Sequence, residues 1–371
     1  MVNLLDTTQI YLSYNPPIPM RKQVVTLLAG MAVASIVNAV TVSTDPVGFI
    51  TLTIKGTDNS DGLSAVSVPM LSASLHSGVV YAVNAKTITD NNASWATGDY
   101  ATPDPNGNPS HYIEITNHTD ATKVGLVYEI TASDGGNKTL TLADDATVLA
   151  GASYTVRKCR TLGDIFGDTN AAGLTQGSSS SADILYKVGV DGTGNLAWQI
   201  YFYQEAPIFA GGNGWRQLGK SGSADMKDVG VFPDEGLIIK RRSGPDLSVT
   251  LTGSVKTSNS LTALKTGFNL VSLSYPVDIS LENLGLYNAD GSLLTAGSTS
   301  TADRIYYVND AGQFDIFYYQ QAPIFAGGNG WRKLGASASA DQKDSVIPAG
   351  RSIVVLRRDA AGINWSTNVP F

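Results

Sequence analysis

The feature that most constrains the fold of this chain is an internal duplication. Residues 203–219 read YQEAPIFAGGNGWRQLG and residues 319–335 read YQQAPIFAGGNGWRKLG, so that 15 of 17 positions are identical at a separation of 116 residues. The similarity extends outward to Ala-Asp pairs upstream and Arg-Arg pairs downstream of each copy. Repetition on this scale indicates one structural unit that is used twice.

The upstream part of the first copy is displaced along the chain. Strand-like residues 268–273 lie shortly before Leu281-Glu282-Asn283-Leu284 in the second copy, whereas the matching segment of the first copy, 64–69, lies far upstream of its counterpart at 162–165. Thr51-Leu52-Thr53 and Thr250-Leu251-Thr252 extend the parallel. Exposed loops accept insertions whose ends lie close together. We therefore predict a first unit of residues 40–75 plus 158–243, an inserted β domain at 76–157 and a second unit at 244–371.

The N-terminus has the pattern of an export signal. Arg21-Lys22 precedes a mostly apolar run at 24–37, and the small residue Ala39 follows. These features predict a secretory signal peptide within residues 1–39, with 1–19 as an upstream extension before a start at Met20. The apolar run is too short to span a bilayer comfortably. We expect a secreted, extracellular or cell-surface protein that begins at Val40 and has no membrane span after leader removal; a buried N-terminal helix is the alternative.

Composition narrows the possible partners. Charged residues make up 15% of the chain and the net charge is −7, so there is no basic patch to indicate nucleic acid. The one cysteine, Cys159, excludes an internal disulfide, and its strand-like surroundings favour burial over reactivity.

Strand signals recur along the whole chain, with turn residues between them. Apolar and polar residues alternate at 112–116 and 139–142, which is typical of strands with one buried face. The only helical candidates are short turns near 162–166 and 281–284. We predict an all-β protein built from two tandem β-sandwich or small-barrel units, the first interrupted by the inserted β domain.

Catalytic and metal-binding patterns are weak. His76, His111 and His118 lack the spacing of a metal site, so they are interpreted as structural or solvent histidines. Residues 104–108 resemble the start of a calcium loop, but Pro109 and Ile115 occupy the positions of its glycine and its bidentate acid, and a polar turn is expected. No nucleophile elbow or nucleotide-binding fingerprint occurs. We expect no catalytic residue, metal or cofactor, and no enzymatic activity.

The duplicated loops are candidate interaction sites. Each combines two aromatic residues with several glycines and an asparagine, which suits a compact loop that ends on a tryptophan. The tryptophans could cap the core, stack on sugar rings or anchor a neighbouring subunit. The candidate residues are Tyr203, Phe209, Asn213, Trp215, Tyr319, Phe325, Asn329 and Trp331.

The arrangement resembles a family of secreted, uncharacterised β-rich repeat proteins of verrucomicrobial-type bacteria. The resemblance rests on short motifs along nearly the whole mature chain: DPVGF at 45–49, VSVP at 66–69, YIEIT at 112–116, TLGDIF at 161–166, Gly-Trp-Arg in each unit and Pro-Ala-Gly at 348–350. Phe268 stands where such units often carry Trp. The resemblance implies export and a repeated β plan, and it implies no activity.

These observations predict a secreted, non-catalytic structural or surface protein that assembles with itself into a layer, matrix or fibre. The uncharged residues Val40, Thr41 and Val42 are a candidate assembly strand, with ordinary terminal fraying as the alternative. The alternative function is a bivalent carbohydrate-binding protein whose duplicated Trp and Tyr loops contact extracellular polysaccharide. Exposed aromatic residues in a row would favour sugar binding, and a long unpaired edge strand would favour assembly.

Overall fold

The computed structural model of this protein describes residues 45–58, 60–100, 109–190, 196–206, 211–287, 293–321, 327–337, 339–359 and 361–370. Regular structure in these ranges is almost entirely extended, which confirms the all-β prediction. The predicted leader at 1–39 and the candidate assembly strand Val40, Thr41 and Val42 lie outside the described residues. No helix in the described ranges has the length and apolarity needed to cross a membrane.

The strands fall into three groups along the chain. The first group is β1 (Val47–Ile54), β2 (Leu63–Val66) and β3 (Met70–Leu71). The second is β4 (Ser74–Val79), β5 (Ala82–Asn84), β6 (Thr87–Thr89), β7 (His111–Asn117), β8 (Val127–Asp134), β9 (Thr139–Leu142) and β10 (Ser153–Lys158), with 3₁₀ turns at Ala121–Lys123 and Thr147–Leu149.

The third group begins with β11 (Arg160–Thr161) and the helix α1 (Leu162–Phe166). It continues with β12 (Ile184–Val190), β13 (Leu196–Gln204), β14 (Gly214–Gln217), β15 (Gly230–Val231), β16 (Leu237–Lys240) and β17 (Leu247–Val255). The third group ends with β18 (Ser260–Leu264), β19 (Gly267–Ser272), β20 (Ile279–Ser280), β21 (Arg304–Val308), β22 (Phe314–Gln320), β23 (Gly330–Lys333), β24 (Val346–Ile347), β25 (Ser352–Arg357) and β26 (Ile363–Thr367).

Two five-stranded antiparallel sheets have the same strand order. One is ordered β14-β13-β12-β16-β2 and the other β23-β22-β21-β25-β19. Val66 lies opposite Leu237 in the first sheet, and Val271 lies opposite Ile353 in the second. The displaced segment 64–69 therefore holds the same place in its sheet as the segment around 271, as two related units with a split first unit require. The described strands do not close into a barrel.

The sequence parallel between 51–53 and 250–252 has a different origin from the one expected. These segments lie on β1 and β17, which pair antiparallel with Thr51 opposite Thr250. They are partners in one sheet of order β1-β17-β3. Val249 and Leu251 pack in the hydrophobic cluster around Trp215, which is the first core. In the second unit the equivalent pair is β18 and β26. In each unit, one strand of the pair precedes the strands of the five-stranded sheet along the chain and the other follows them.

The segment from Ser74 to Lys158 forms its own seven-stranded sheet, ordered β4-β10-β7-β8-β9-β6-β5. It carries a separate hydrophobic cluster that includes Trp95, Ile113 and Tyr154. The predicted alternation at 139–142 is present, but both faces of β7 are buried from Tyr112 to Ile115. The second face is covered because Lys256 and Ser258, which lie between β17 and β18, contact Glu114 and form a junction with β7.

That junction contains a buried group of charges. Glu114 accepts hydrogen bonds from the Lys256 ammonium and from the Ser258 hydroxyl at 2.5 Å, and the side chains of Glu114 and Lys256 are almost fully buried. Arg157 lies 3.9 Å from Glu114 and donates to Asp45 at 2.7 Å. Each of these charges has an oppositely charged partner, which offsets part of its desolvation cost. The network fixes the seven-stranded sheet against the segments on either side of it.

Candidate interaction surfaces

The tryptophans of the duplicated loops lie in the protein core. Trp215 is 0% exposed and Trp331 2% exposed, each within the cluster of its own unit. The backbone N–H of Trp215 donates to Asp225 at 3.2 Å, and that of Trp331 donates to Asp341 at 3.1 Å. The two tryptophans therefore hold equivalent positions as core residues, and neither indole presents a face to a sugar or a partner.

The arginine that follows the tryptophan of each loop explains why the glycines recur. Arg216 donates to the carbonyl oxygens of Gly211 and Gly212 at 2.8 and 3.1 Å, and Arg332 makes the same two contacts with Gly327 and Gly328. These four glycines have φ between 67° and 98°, a range that side chains of other residues rarely adopt. The loop backbone thus wraps a buried guanidinium. This packing accounts for the shared loop sequence without any ligand.

The remaining predicted loop residues differ in their surroundings. Tyr203 and Tyr319 each lie edge-on to their tryptophan, with ring centroids 5.5 and 5.6 Å apart, and burial raises the pKa of both phenols. Asn213 is exposed and accepts a hydrogen bond from the backbone of Ala206 at 2.6 Å. Asn329 is also exposed, while Phe209 and Phe325 lie outside the described residues.

The first surface that remains available is the edge of β1. β1 lies at the end of its sheet, and within the described ranges β17 is the strand that pairs with it. Val47 is 81% exposed and Phe49 73% exposed, and the strand contains no charged residue. Natural proteins usually protect such an edge with charge, proline or a covering segment. A long, uncharged edge with an exposed phenylalanine is therefore suited to pairing with another strand.

The second available surface is an aromatic groove between the two five-stranded sheets, with a volume of about 410 Å³. Trp198 is 49% exposed and Phe314 45% exposed, and Tyr186 meets the Trp198 ring edge-on at 6.2 Å. No sequence pattern distinguishes these residues. Trp198 and Phe314 lie near the starts of two different strands, β13 and β22, and only the packing of the two sheets brings them to one groove. Its lining residues are Leu63, Tyr186, Trp198, Ile238, Lys240 and Phe314.

The histidines lie apart from these surfaces. His76 contacts the buried carboxylate of Asp90 at 3.1 Å, and Tyr154 donates to the same oxygen at 2.8 Å. Burial opposes ionisation of Asp90, but its hydrogen bonds to His76, Asn92 and Tyr154 outweigh burial and lower its pKa. This arrangement connects β4 to β10 inside the seven-stranded sheet.

The other two histidines have local roles. His111 accepts or donates a hydrogen bond with Ser110 at 2.9 Å, and burial, with a smaller effect of Lys158, lowers its pKa. His118 is half-buried and accepts the backbone N–H of Asp120 at 2.9 Å. In the described part of the chain, no group of three or more His, Cys, Asp or Glu residues is arranged to hold a metal ion.

Two further titratable groups are perturbed by burial. Burial raises the pKa of the Cys159 thiol well above its usual range, as expected for a cysteine that is 0% exposed. Burial and the neighbouring Glu235 raise the pKa of Asp234 to about 6. Asp234 lies in a cleft between β12 and β19, and its neighbour Glu235 pairs with Lys187 at 2.8 Å. The candidate calcium loop at 104–108 lies outside the described residues.

Comparison with known proteins gives no relative: no protein-family model matches the chain, and neither a curated protein nor a solved structure is significantly similar to it.

Proposed function

We propose that this protein is a secreted, non-catalytic structural protein that associates with further copies of itself at the edge of β1. The observation that supports the proposal is the combination of an unpaired edge in the described structure, the absence of charge along β1 and the exposure of Val47 and Phe49. Edge strands of this kind recruit other strands through backbone hydrogen bonds, and side chains on alternate positions add specificity.

The partner of this edge is a second copy of the chain. The outward face of β1 and its neighbour β17 carries valine, phenylalanine, threonine and serine, so pairing of two β1 edges brings no like charges side by side. A strand edge buries less surface than the ~1,200–2,000 Å² of a standard stable interface. Association should therefore depend on protein concentration, as suits a protein that accumulates in an extracellular layer.

Light scattering after size-exclusion chromatography tests the proposal with the full chain across a range of concentrations. The unaltered protein is expected to increase in apparent mass with concentration, and Phe49→Lys is expected to stay monomeric because it adds a charge to the exposed edge. Leu218→Lys is the matched control, since it adds the same charge at a position 53% exposed beyond β14. A monomeric unaltered protein at every concentration would refute the proposal.

A carbohydrate-binding function is the second candidate, and the aromatic groove is the observation that favours it. Trp198 and Phe314 present half-exposed rings, and the edge-on contact with Tyr186 restrains the Trp198 indole. Rigid aromatic rings with exposed faces are suited to stacking against other flat, partly apolar surfaces. Electrophoresis through gels that contain neutral polysaccharides tests it: retardation that disappears in Trp198→Ala and persists in Phe49→Lys would support sugar binding at this groove.

A further inference from the structure

The two faces of β1 restrict how a second β1 strand can pair with it. Ile50, Leu52 and Ile54 point towards the first core, whereas Val47, Phe49 and Thr51 point outward. A shift of one residue in strand register moves every side chain to the opposite face. In an antiparallel pair of identical strands, an odd-numbered residue must therefore lie opposite an odd-numbered residue, or Phe49 would be forced beside the core residues of its partner.

We infer that β1 pairs antiparallel with β1 of a second copy about a two-fold axis at Ile50, which joins two three-stranded sheets into one six-stranded sheet. This inference rests on the proposed function and specifies its contact. In this register Phe49 lies opposite Thr51 of the other copy, and Val47 lies opposite Thr53. The half-buried Ile50 residues of the two copies face each other across the axis, continuous with the two cores.

The neighbouring allowed registers are less favourable. Centring the axis on Phe49 pairs only residues 47–51, whereas centring it on Ile50 pairs residues 47–53. Centring it on Thr51 places the Lys55 position opposite Val47, although Lys55 is held by Asp246 at 3.1 Å on its own chain. The axis at Ile50 is the register that gives a long pairing without a charge opposite an apolar side chain.

A two-fold contact uses the same patch on both copies and closes on itself. This edge therefore yields a dimer of twice the mass of one chain, and a layer or fibre would be built from such dimers through a different contact. The dimer is the smallest species that the proposed function predicts.

Disulfide trapping of the full chain tests the register. Opposed residues of antiparallel strands have Cα atoms about 4.5–5.5 Å apart, within the range that a disulfide bridges. Under mild oxidation the double variant Phe49→Cys/Thr51→Cys is expected to form a covalent dimer in high yield. Both positions are exposed, so these changes should leave the fold intact, and a thermal melt that matches the unaltered protein verifies this. Cys159 is fully buried, so the unaltered protein is the background control.

The single variants distinguish the alternatives. Phe49→Cys alone traps a dimer only if the axis lies at Phe49, and Thr51→Cys alone only if it lies at Thr51. High yield in the double variant with little in either single variant supports the axis at Ile50. Equal or higher yield in a single variant, or an associating protein that no variant traps, overturns the register and leaves the proposed function standing. Absence of any association in light scattering overturns both.

Discussion

Truncation of Trp331 separates a core role of the duplicated loop from a binding role. The indole of Trp331 is 2% exposed, and a buried aromatic side chain of about 200 Å² contributes about 5 kcal/mol at ~25 cal/mol per Å². The edge-on contact with Tyr319 adds about 1 kcal/mol, and partial burial in the unfolded chain reduces the sum. Trp331→Ala should therefore cost about 3–5 kcal/mol of unfolding free energy, as buried aromatic truncations do.

Urea denaturation followed by circular dichroism measures this cost. With a slope of about 2 kcal/mol per M, the midpoint should fall by about 1.5–2.5 M. Trp198→Ala is the matched control because Trp198 is 49% exposed, and its shift should stay within about 0.5 M. Trp215→Ala should resemble Trp331→Ala in size, since Trp215 is 0% exposed in the equivalent position. A Trp331→Ala midpoint as close to the unaltered protein as that of Trp198→Ala would refute the core assignment.

Two further predictions concern buried charge. Lys256→Met should destabilise the protein by about 3–5 kcal/mol, because it leaves the Glu114 carboxylate buried without its closest cation. The double variant Glu114→Leu/Lys256→Met should recover most of this loss in the same urea assay. Equal losses in the single and double variants would contradict the ion-pair explanation. Asp234 has a folded pKa raised to about 6 from 3.8, so the folded state holds this proton more tightly, and the contribution of this group to stability falls as the pH rises between these values. Asp234→Asn should flatten that fall in thermal melts at pH 4, 5 and 6, and an unchanged pH profile would show that this carboxyl does not cause it.

Much of the fold could be predicted from the sequence because its signals are local or repeated. Frequent turn residues and short alternating segments indicate strands, and the duplication indicates two units of one plan. The parallel between 64–69 and the segment around 271 also places two strands in equivalent sheet positions. The helix at Leu162–Phe166 follows from local chemistry too, since Thr161 and Asp164 form a reciprocal capping box at its start.

The sequence misled where two explanations share one pattern. The Thr-Leu-Thr segments at 51–53 and 250–252 match because paired strands of one sheet need the same alternation, which is also what equivalent strands need. The alternation at 112–116 predicts an exposed polar face, yet Glu114 is buried beside Lys256 because a distant segment covers it. Neither outcome is encoded in the pattern of a single strand.

The sequence by itself determined the all-β class, the repetition of a unit and the recurrence of the Gly-rich loops. Only the tertiary structure decided which aromatic residues are core and which are surface. Trp215 and Trp331 are buried because their loops fold back over Arg216 and Arg332, whereas Trp198 and Phe49 stay exposed because one lies at a groove between sheets and the other on an edge strand. Burial depends on contacts between residues far apart in the chain, and the sequence of an isolated segment does not specify those contacts.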